Sequence, residues 1–533
     1  MDQFYRRAIR NIVRHGDTDI FPFPIENHVL HDKLDDAVAI LAALDADVPR
    51  SLAEQPPANI GALAPVGYTG FRWAVQIDPL WNALYLSWVL SIADKIEAAR
   101  NSVDPDRVYS YRYRWDDTTE TCFNRDINWR HFIEKALQKA AEKAFVVSCD
   151  ISEFYLRINH HRIENAILHL PESGYVYPRI KAFLSNLSNT YSFGIPIGGP
   201  ASRLISELVL TQIDGLLLAN EIDFVRYADD YFLFTETPDK SFQALVILTR
   251  LLIDNQGLQL QKSKTRIMTS AEFFASNPLV HDDDDIGAPL GAARQALMSI
   301  NMHFDPYSAT ADEDYELLRA ELEKYPVMEI IRAELKKSRV DITLARRLIS
   351  LTSYLDGSLL DDAIKTLIEN EDILYPVYHN VLICAKEVFD RLSEPTQLAI
   401  STRVRGLIVD QSRVMVLDLM LQYAIRLLSL RKDEETRYLF YKIFRSERNE
   451  AVKRDIILCL AKWDDWHWLS DLQKRFRTLS PVERRAFLIA SFGLEDEGEH
   501  WRRNIRREFS ESEKLVKGWA EQKFSQPGWQ IPL

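Results

Sequence analysis

Residues 222–234, IDFVRYADDYFLF, constrain this chain more than any other stretch. Two adjacent carboxylates, Asp229 and Asp230, sit between short runs rich in β-branched and aromatic residues. That is the pattern of a β-hairpin with the acids at its tip and the strands anchored in a core. Asp is also a frequent turn residue for local hydrogen-bonding reasons, so the pair alone decides nothing. Its neighbours along the chain have to be weighed with it.

At 533 residues the chain exceeds one ordinary core, and two or three domains are expected. A hydrophobic fraction of 47% suits a chain folded throughout. No run of about 18 uncharged apolar residues and no signal-peptide pattern occurs, so the chain reads as cytoplasmic and unconnected with membranes. Cys122, Cys149, Cys384 and Cys459 are widely spaced, which points to neither a disulfide framework nor a zinc site. The net charge of −13 argues against broad, non-specific binding of long duplex, because phosphate contacts come from Lys and Arg. A basic groove inside an acidic body remains compatible with it.

The two halves differ in texture. Of the 18 glycines, 12 lie before residue 300, together with the strand-like segments around Phe145–Cys149 and Phe224–Phe234. The first half is therefore mixed α and β. HDDDDIGAPLGAA (281–293) has the composition of a linker, and its acids read as a solvated loop rather than a metal site. From about residue 310 the pattern turns helical. EDYELLRAELEKY (313–325), ITLARRLISLTSYL, VMVLDLMLQYAIRLLSL, EAVKRDIILCLAKW and their neighbours carry apolar residues at i, i+3 and i+4. The sizes suit a degenerate helical repeat.

Three further elements surround YADD. In AFVVSCDISEFYLRINHHRI (144–163) an apolar strand, Phe145–Cys149, ends in Asp150, with Tyr155 five residues on. GIPIGGPASRLISELVL (194–210) reads as a Gly/Pro-rich turn entering an amphipathic helix, where glycine permits close approach of backbone to a ligand. In GLQLQKSKTRIM (257–268) an extended segment offers Lys262 and Lys264. Each element alone has a bland reading, as cap, loop or solvated surface. Carboxylates held at strand ends and hairpin tips are, however, what two-metal phosphoryl transfer requires.

In order and spacing the four elements resemble motifs A, B, C and D of the reverse-transcriptase palm, over about residues 100–270. Finer features resemble the abortive-infection, phage-defence reverse transcriptases of bacteria, the AbiK-like group that includes those of P2-like prophages. These features are HGDTDIFPFPIE (15–26), SYRYR (110–114) and the helical second half. The resemblance implies an α+β fold: a fingers–palm domain over 1–285, a linker over 286–310, and an all-α, HEAT-like repeat domain over 311–533 in place of a thumb. It implies transfer of deoxynucleotides from dNTPs with two Mg²⁺ ions, for which Mn²⁺ can substitute. Asp150 and Asp229 are the implied bridging ligands, and Asp230 a weaker one. Tyr155 falls at the family's steric gate for the sugar. Arg112 falls at the fingers arginine for the triphosphate, with Arg114 as its near competitor on one face of a strand. Lys264 matches the motif D lysine, and Gly198 and Ser202 line the nucleotide pocket.

Motif B departs from the usual Pro-Gln-Gly, reading Pro196-Ile197-Gly198. Ile cannot make the hydrogen bonds of Gln near the templating position. The abortive-infection group is associated with untemplated synthesis primed from a protein hydroxyl, which implies a single-stranded DNA product attached to the chain itself, and with homo-oligomers. The alternatives are RNA-templated synthesis on a bound non-coding RNA and an inactive palm used as a scaffold.

Overall fold

In the computed structural model, which describes residues 1–16, 18, 20–101, 106–188, 191–276 and 326–533, the YADD stretch is a hairpin forming one side of a four-stranded antiparallel sheet. Eight strands are defined among these residues: β1 (Asn59–Pro65), β2 (Phe71–Ile77), β3 (Tyr113–Asp116), β4 (Thr121–Phe123), β5 (Phe145–Asp150), β6 (Asp223–Tyr227), β7 (Asp230–Thr235) and β8 (Arg266–Thr269). The main sheet has the order β6-β7-β5-β8, while β1–β2 and β3–β4 form separate pairs. All pairings within the main sheet are antiparallel, and β5 is paired along both edges.

Strand alternation gives this sheet two distinct faces. On one, Val146, Val225 and Phe234 pack with Phe132, Ile133, Ala136 and Phe273, which come from helices Trp129–Glu142 and Ser270–Ser276. The Phe132 and Phe232 rings stack at 5.1 Å, and Phe273 meets Phe232 edge-on at 5.0 Å. On the other face, helix Pro238–Gln256 covers β5 and β7 and packs against helix Pro200–Ala219. Local signals fix where these helices begin and end. Asn128 accepts hydrogen bonds from the Arg130 and His131 N–H groups, Pro200 and Pro238 stand at first helical positions, and Gly257 closes with φ 71°.

The described chain divides into two compact units. The first gathers Met1–Asn59, Val75–His281 and Phe509–Leu515, and contains the main sheet. The second gathers Ile60–Ala74, Asp282–Glu508 and Val516–Leu533. It is helical apart from most of the β1–β2 hairpin, which joins it although it lies early in the sequence. Within this unit the Tyr68 hydroxyl donates to the Ile373 carbonyl at 2.7 Å and accepts from the Val340 N–H at 2.8 Å. Gly61 is obligatory there, since a Cβ would overlap the Trp73 ring. Helices Tyr378–Glu387, Asp418–Leu428, Glu450–Lys462 and Pro481–Ala490 pack in succession, each on the next.

Most expected elements form where the periodicity places them. The run expected to be helical from Val414 is helical only over Asp418–Leu428, with turns before it. Lys262–Lys264, expected to be extended, form a turn between an isolated bridge at Leu260 and β8, because the Lys264 and Thr265 N–H groups both bond the Gln261 carbonyl. The linker 286–310, EDYELLRAELEKY and the acidic run lie outside the described residues. All four cysteines are free and buried, and no described helix is long and apolar enough to cross a membrane.

Phe132 has no exposed surface and joins a helix to the sheet that carries the acids. Phe132→Ala should cost about 3–5 kcal/mol, seen as an earlier thermal transition in calorimetry. An unchanged transition would show that this cluster does not anchor the sheet.

Candidate active site

Asp150 ends β5, and the β5–β7 register sets it directly opposite Asp230. Cross-strand partners share a face of the sheet with Cβ atoms about 5 Å apart, so like charges placed there repel. Tyr227 pairs with Asp230, which leaves Ala228 and Asp229 as the two turn residues. Ala228 holds φ at 51°, a left-handed value demanded by primed two-residue turns and one that costs a side chain with Cβ about 1 kcal/mol. The Asp229 carbonyl accepts from the Ile151 N–H at 3.2 Å, and the Asp150 carbonyl from the Gln261 N–H at 2.7 Å. Backbone bonds therefore tie the turn to β5, and β5 to the loop that carries Lys264. Lys264 Nζ donates to Asp150 Oδ2 at 2.5 Å while its side chain stays 63% exposed.

The electrostatics follow from this crowding. Burial, then the neighbouring Asp150 charge, push the Asp229 carboxyl up to about 6. Burial, then Asp229 and Asp150, push Asp230 up to about 7. Lys264 loses solvation but is held above its ordinary value by its bond to Asp150 and by the other two acids. Three carboxylates against one ammonium leave an excess of negative charge, which an added cation relieves. The donor set, all carboxylate oxygen, suits Mg²⁺. Among the described residues no three acidic, His or Cys side chains already stand in a ligating arrangement. The donor chemistry fits a divalent ion, for which Lys264 would release Asp150 Oδ2.

The remaining expected residues lie around this centre in different ways. Tyr155 follows Glu153, itself at φ 49°, in the short helix Phe154–Arg157. Its hydroxyl neighbours those of Ser206 and Tyr111, and burial pushes it well above its ordinary value. Gly198 sits at φ 111° in the loop entering helix Pro200–Ala219. Ser202 is buried, and its hydroxyl neighbours that of Tyr85 in a small enclosed pocket lined also by Pro196, Ile197 and Gly199. Arg112 is held away from the position expected of it, on Glu97 and the Val108 carbonyl. It precedes β3 and is buried. Arg114 is exposed and paired with Asp126 at 2.9 Å. The two arginines therefore differ in setting despite their matching parity.

Sequence reasoning missed Arg203, Tyr111 and Arg226. The Arg203 guanidinium lies over the Tyr111 ring at 5.1 Å, and its charge is felt by Tyr155. Arg226 carried a usable signal. In DFVRY, alternation puts it on the same face as Phe224, where an arginine is out of place unless paired.

Residues 91–293 match the family model described as reverse transcriptase (RNA-dependent DNA polymerase), a span that includes the whole main sheet. That segment thus carries a reverse-transcriptase domain, a family of nucleotidyltransferases. Among solved structures it is similar to telomerase from Candida albicans in complex with a TWJ fragment of telomeric RNA. That match has 11% identity and a TM-score of 0.31, and covers 68% of this chain and 66% of that one. A second similarity is to apo telomerase from Candida tropicalis, at 10% identity and TM-score 0.31, covering 74% of this chain and 67% of that one. The chain spans just under two thirds of the length of the first of these. Comparison with curated protein sequences finds no match.

The raised acids make a pH-dependent prediction for the metal-free protein. In the unfolded chain both carboxyls titrate near 3.8, but in the fold near 6 and 7. The folded state holds the extra protons in between, so their contribution to stability falls as pH rises from about 4 to about 7. Asp230→Asn should therefore melt about 2–4 °C above wild type at pH 8 in EDTA. The difference should vanish near pH 4. A gain of equal size at both pH values would refute the electrostatic account.

Proposed function

We propose that this protein is a phage-defence, abortive-infection DNA polymerase of the reverse-transcriptase type, which extends DNA from one of its own hydroxyl groups without a template. The observation that carries this reading is the meeting of Asp150, Asp229 and Asp230 at the end of one sheet, with Lys264 bonded to Asp150. Ile197 in place of Gln supports untemplated addition, and so does the net charge of −13, since a product tethered to the chain needs no long basic channel. The second unit, helical apart from most of the β1–β2 hairpin, fits a stack of HEAT-like helix pairs, taking the chain position of a thumb.

Asp150 and Asp229 are assigned to hold two divalent ions, with Asp230 as the weaker ligand. When bound, such ions stabilise charge on the attacking and leaving oxygens of an in-line displacement. The priming or growing-chain hydroxyl attacks the α-phosphorus of a dNTP. The bond from that phosphorus to the bridging oxygen breaks, pyrophosphate leaves, and the hydroxyl proton passes to solvent. Lys264, mostly exposed, turns from Asp150 toward the β- and γ-phosphates and holds a proton there. Tyr155 excludes a 2′-hydroxyl with its ring, its hydroxyl lying beside those of Ser206 and Tyr111. Gly198 and Ser202 shape the loop beneath the nucleotide. Arg112 reaches a triphosphate only on leaving Glu97, whereas Arg203 supplies a cation beside Tyr111 and Tyr155.

Protease digestion of the purified chain, followed by mass measurement of the peptides, tests the reading. Nuclease-sensitive DNA on one peptide, absent from Asp229→Ala, is the expected result and identifies the priming residue. No adduct, with synthesis only when an RNA template and primer are added, would replace it with templated copying. In the same assay Tyr155→Ala should lower the preference for deoxy- over ribonucleotides by at least about tenfold. Unaltered discrimination would remove Tyr155 from the gate.

A further inference from the structure

On the face of the main sheet opposite Asp150 and Asp230 lies a guanidinium with no exposure to solvent, that of Arg226. Its Nε donates to Asp214 Oδ1 at 2.9 Å and its Nη2 to Asp214 Oδ2 at 2.5 Å, a two-point clasp on a carboxylate buried in helix Pro200–Ala219. Its Nη1 stands 3.0 Å from Glu207 Oε2 and also donates to the Ala228 carbonyl at 2.9 Å. The Tyr231 ring lies alongside at 5.7 Å, and its hydroxyl donates to Asp214 Oδ1 at 3.2 Å.

Two of these facts separate Arg226 from an ordinary buried ion pair. Ala228 is the strained residue of the turn, at φ 51°, and the next residue is Asp229. A guanidinium anchored by two carboxylates thus holds the carbonyl of the one turn residue with a reason to relax. In addition, the same array reaches the other wall of the site. Glu207 accepts from the Ser110 hydroxyl at 2.5 Å and pairs with Arg100 at 3.0 Å, and Arg100 Nη1 donates to the Tyr111 carbonyl at 2.9 Å. The Arg226 backbone completes the link, its N–H donating to the Arg107 carbonyl at 2.7 Å and its carbonyl accepting from the Tyr109 N–H at 3.0 Å. The turn carrying Asp229 and the segment carrying Tyr111 therefore rest on one set of buried charges.

We propose that Arg226 is a positioning residue: clasped by Asp214 and Glu207, it locks the Ala228–Asp229 turn in the conformation that presents Asp229 to a divalent cation. The proposal rests on the polymerase reading above. It assigns Arg226 no contact with nucleotide. Loss of such an outer support typically weakens metal binding 10–100-fold, even though no ligand is removed.

The test is titration of Mn²⁺ into the nucleotide-free full chain, with free ion read by electron paramagnetic resonance. Removing Arg226 alone leaves Asp214 buried without its cation, while Glu207 keeps only Arg100. The main variant is therefore the double Arg226→Gln with Asp214→Asn, which deletes one charge of each sign. The second is Arg226→Lys, which keeps the cation but cannot span the Asp214 carboxylate and the Ala228 carbonyl together. Both, in the folded state verified by circular dichroism, should bind Mn²⁺ at least about tenfold more weakly than wild type. Tyr231→Phe, which leaves the bond to Ala228 intact, should bind as wild type does. Wild-type affinity in either folded Arg226 variant overturns the proposal, because a merely structural role would lower the melting temperature and leave Mn²⁺ affinity alone. Wild-type affinity in Asp229→Ala would instead overturn the polymerase reading itself.

Discussion

Like charges forced together by strand register are the constraint on which this site depends. The β5–β7 pairing places Asp150 across from Asp230, and the two-residue turn adds Asp229 beside them. Backbone hydrogen bonds and packed aromatics hold the strands in that register whatever the carboxylates prefer. Burial first, and then this repulsion, are therefore borne by Asp229 and Asp230 as raised proton affinity. The sheet supplies the rigidity and the site carries the strain, a common division where buried groups are kept for chemistry rather than stability.

The two faces of the sheet handle charge in opposite ways. On one, the three acids face a single lysine, whose side chain remains largely exposed and free to leave. On the other, Arg226, Asp214, Glu207 and Arg100 form a closed array in which each guanidinium meets carboxylate at 2.5–3.0 Å. Paired charges of this kind make poor metal sites, because their oxygens are already engaged. The unpaired ones remain available. Strand alternation lets both sets lie within a few residues of each other on opposite faces without neutralising each other, as Arg226 and Asp230 show.

The hairpin β1–β2 shows a different kind of economy. Most of it belongs with the helical unit, where Tyr68 is bonded at both ends of its hydroxyl chemistry and Phe71 meets the Tyr375 ring edge-on at 6.4 Å. A segment only about 15 residues long thus commits the early chain to packing partners some 300 residues later. Local patterning gives no sign of such a commitment.

Short-range physics made much of this protein legible from its amino acids. Hydrophobic alternation around Asp150 and YADD marked β5, β6 and β7, apolar residues at i, i+3 and i+4 marked the helices, and order and spacing grouped Asp150, Asp229, Asp230 and Lys264. Their meeting in space is what the register of β5 against β7 then produced. The settings of the arginines were not legible. Arg112 and Arg114 are alike in sequence, yet one is sealed against Glu97 and the other exposed, because only long-range packing decides which guanidinium finds a buried carboxylate. Arg226 acquires its place in the same way, from Asp214 and Glu207 on a helix that arrives only when the chain has folded. Periodicity acts between neighbours in sequence, whereas charge pairing acts between neighbours in space.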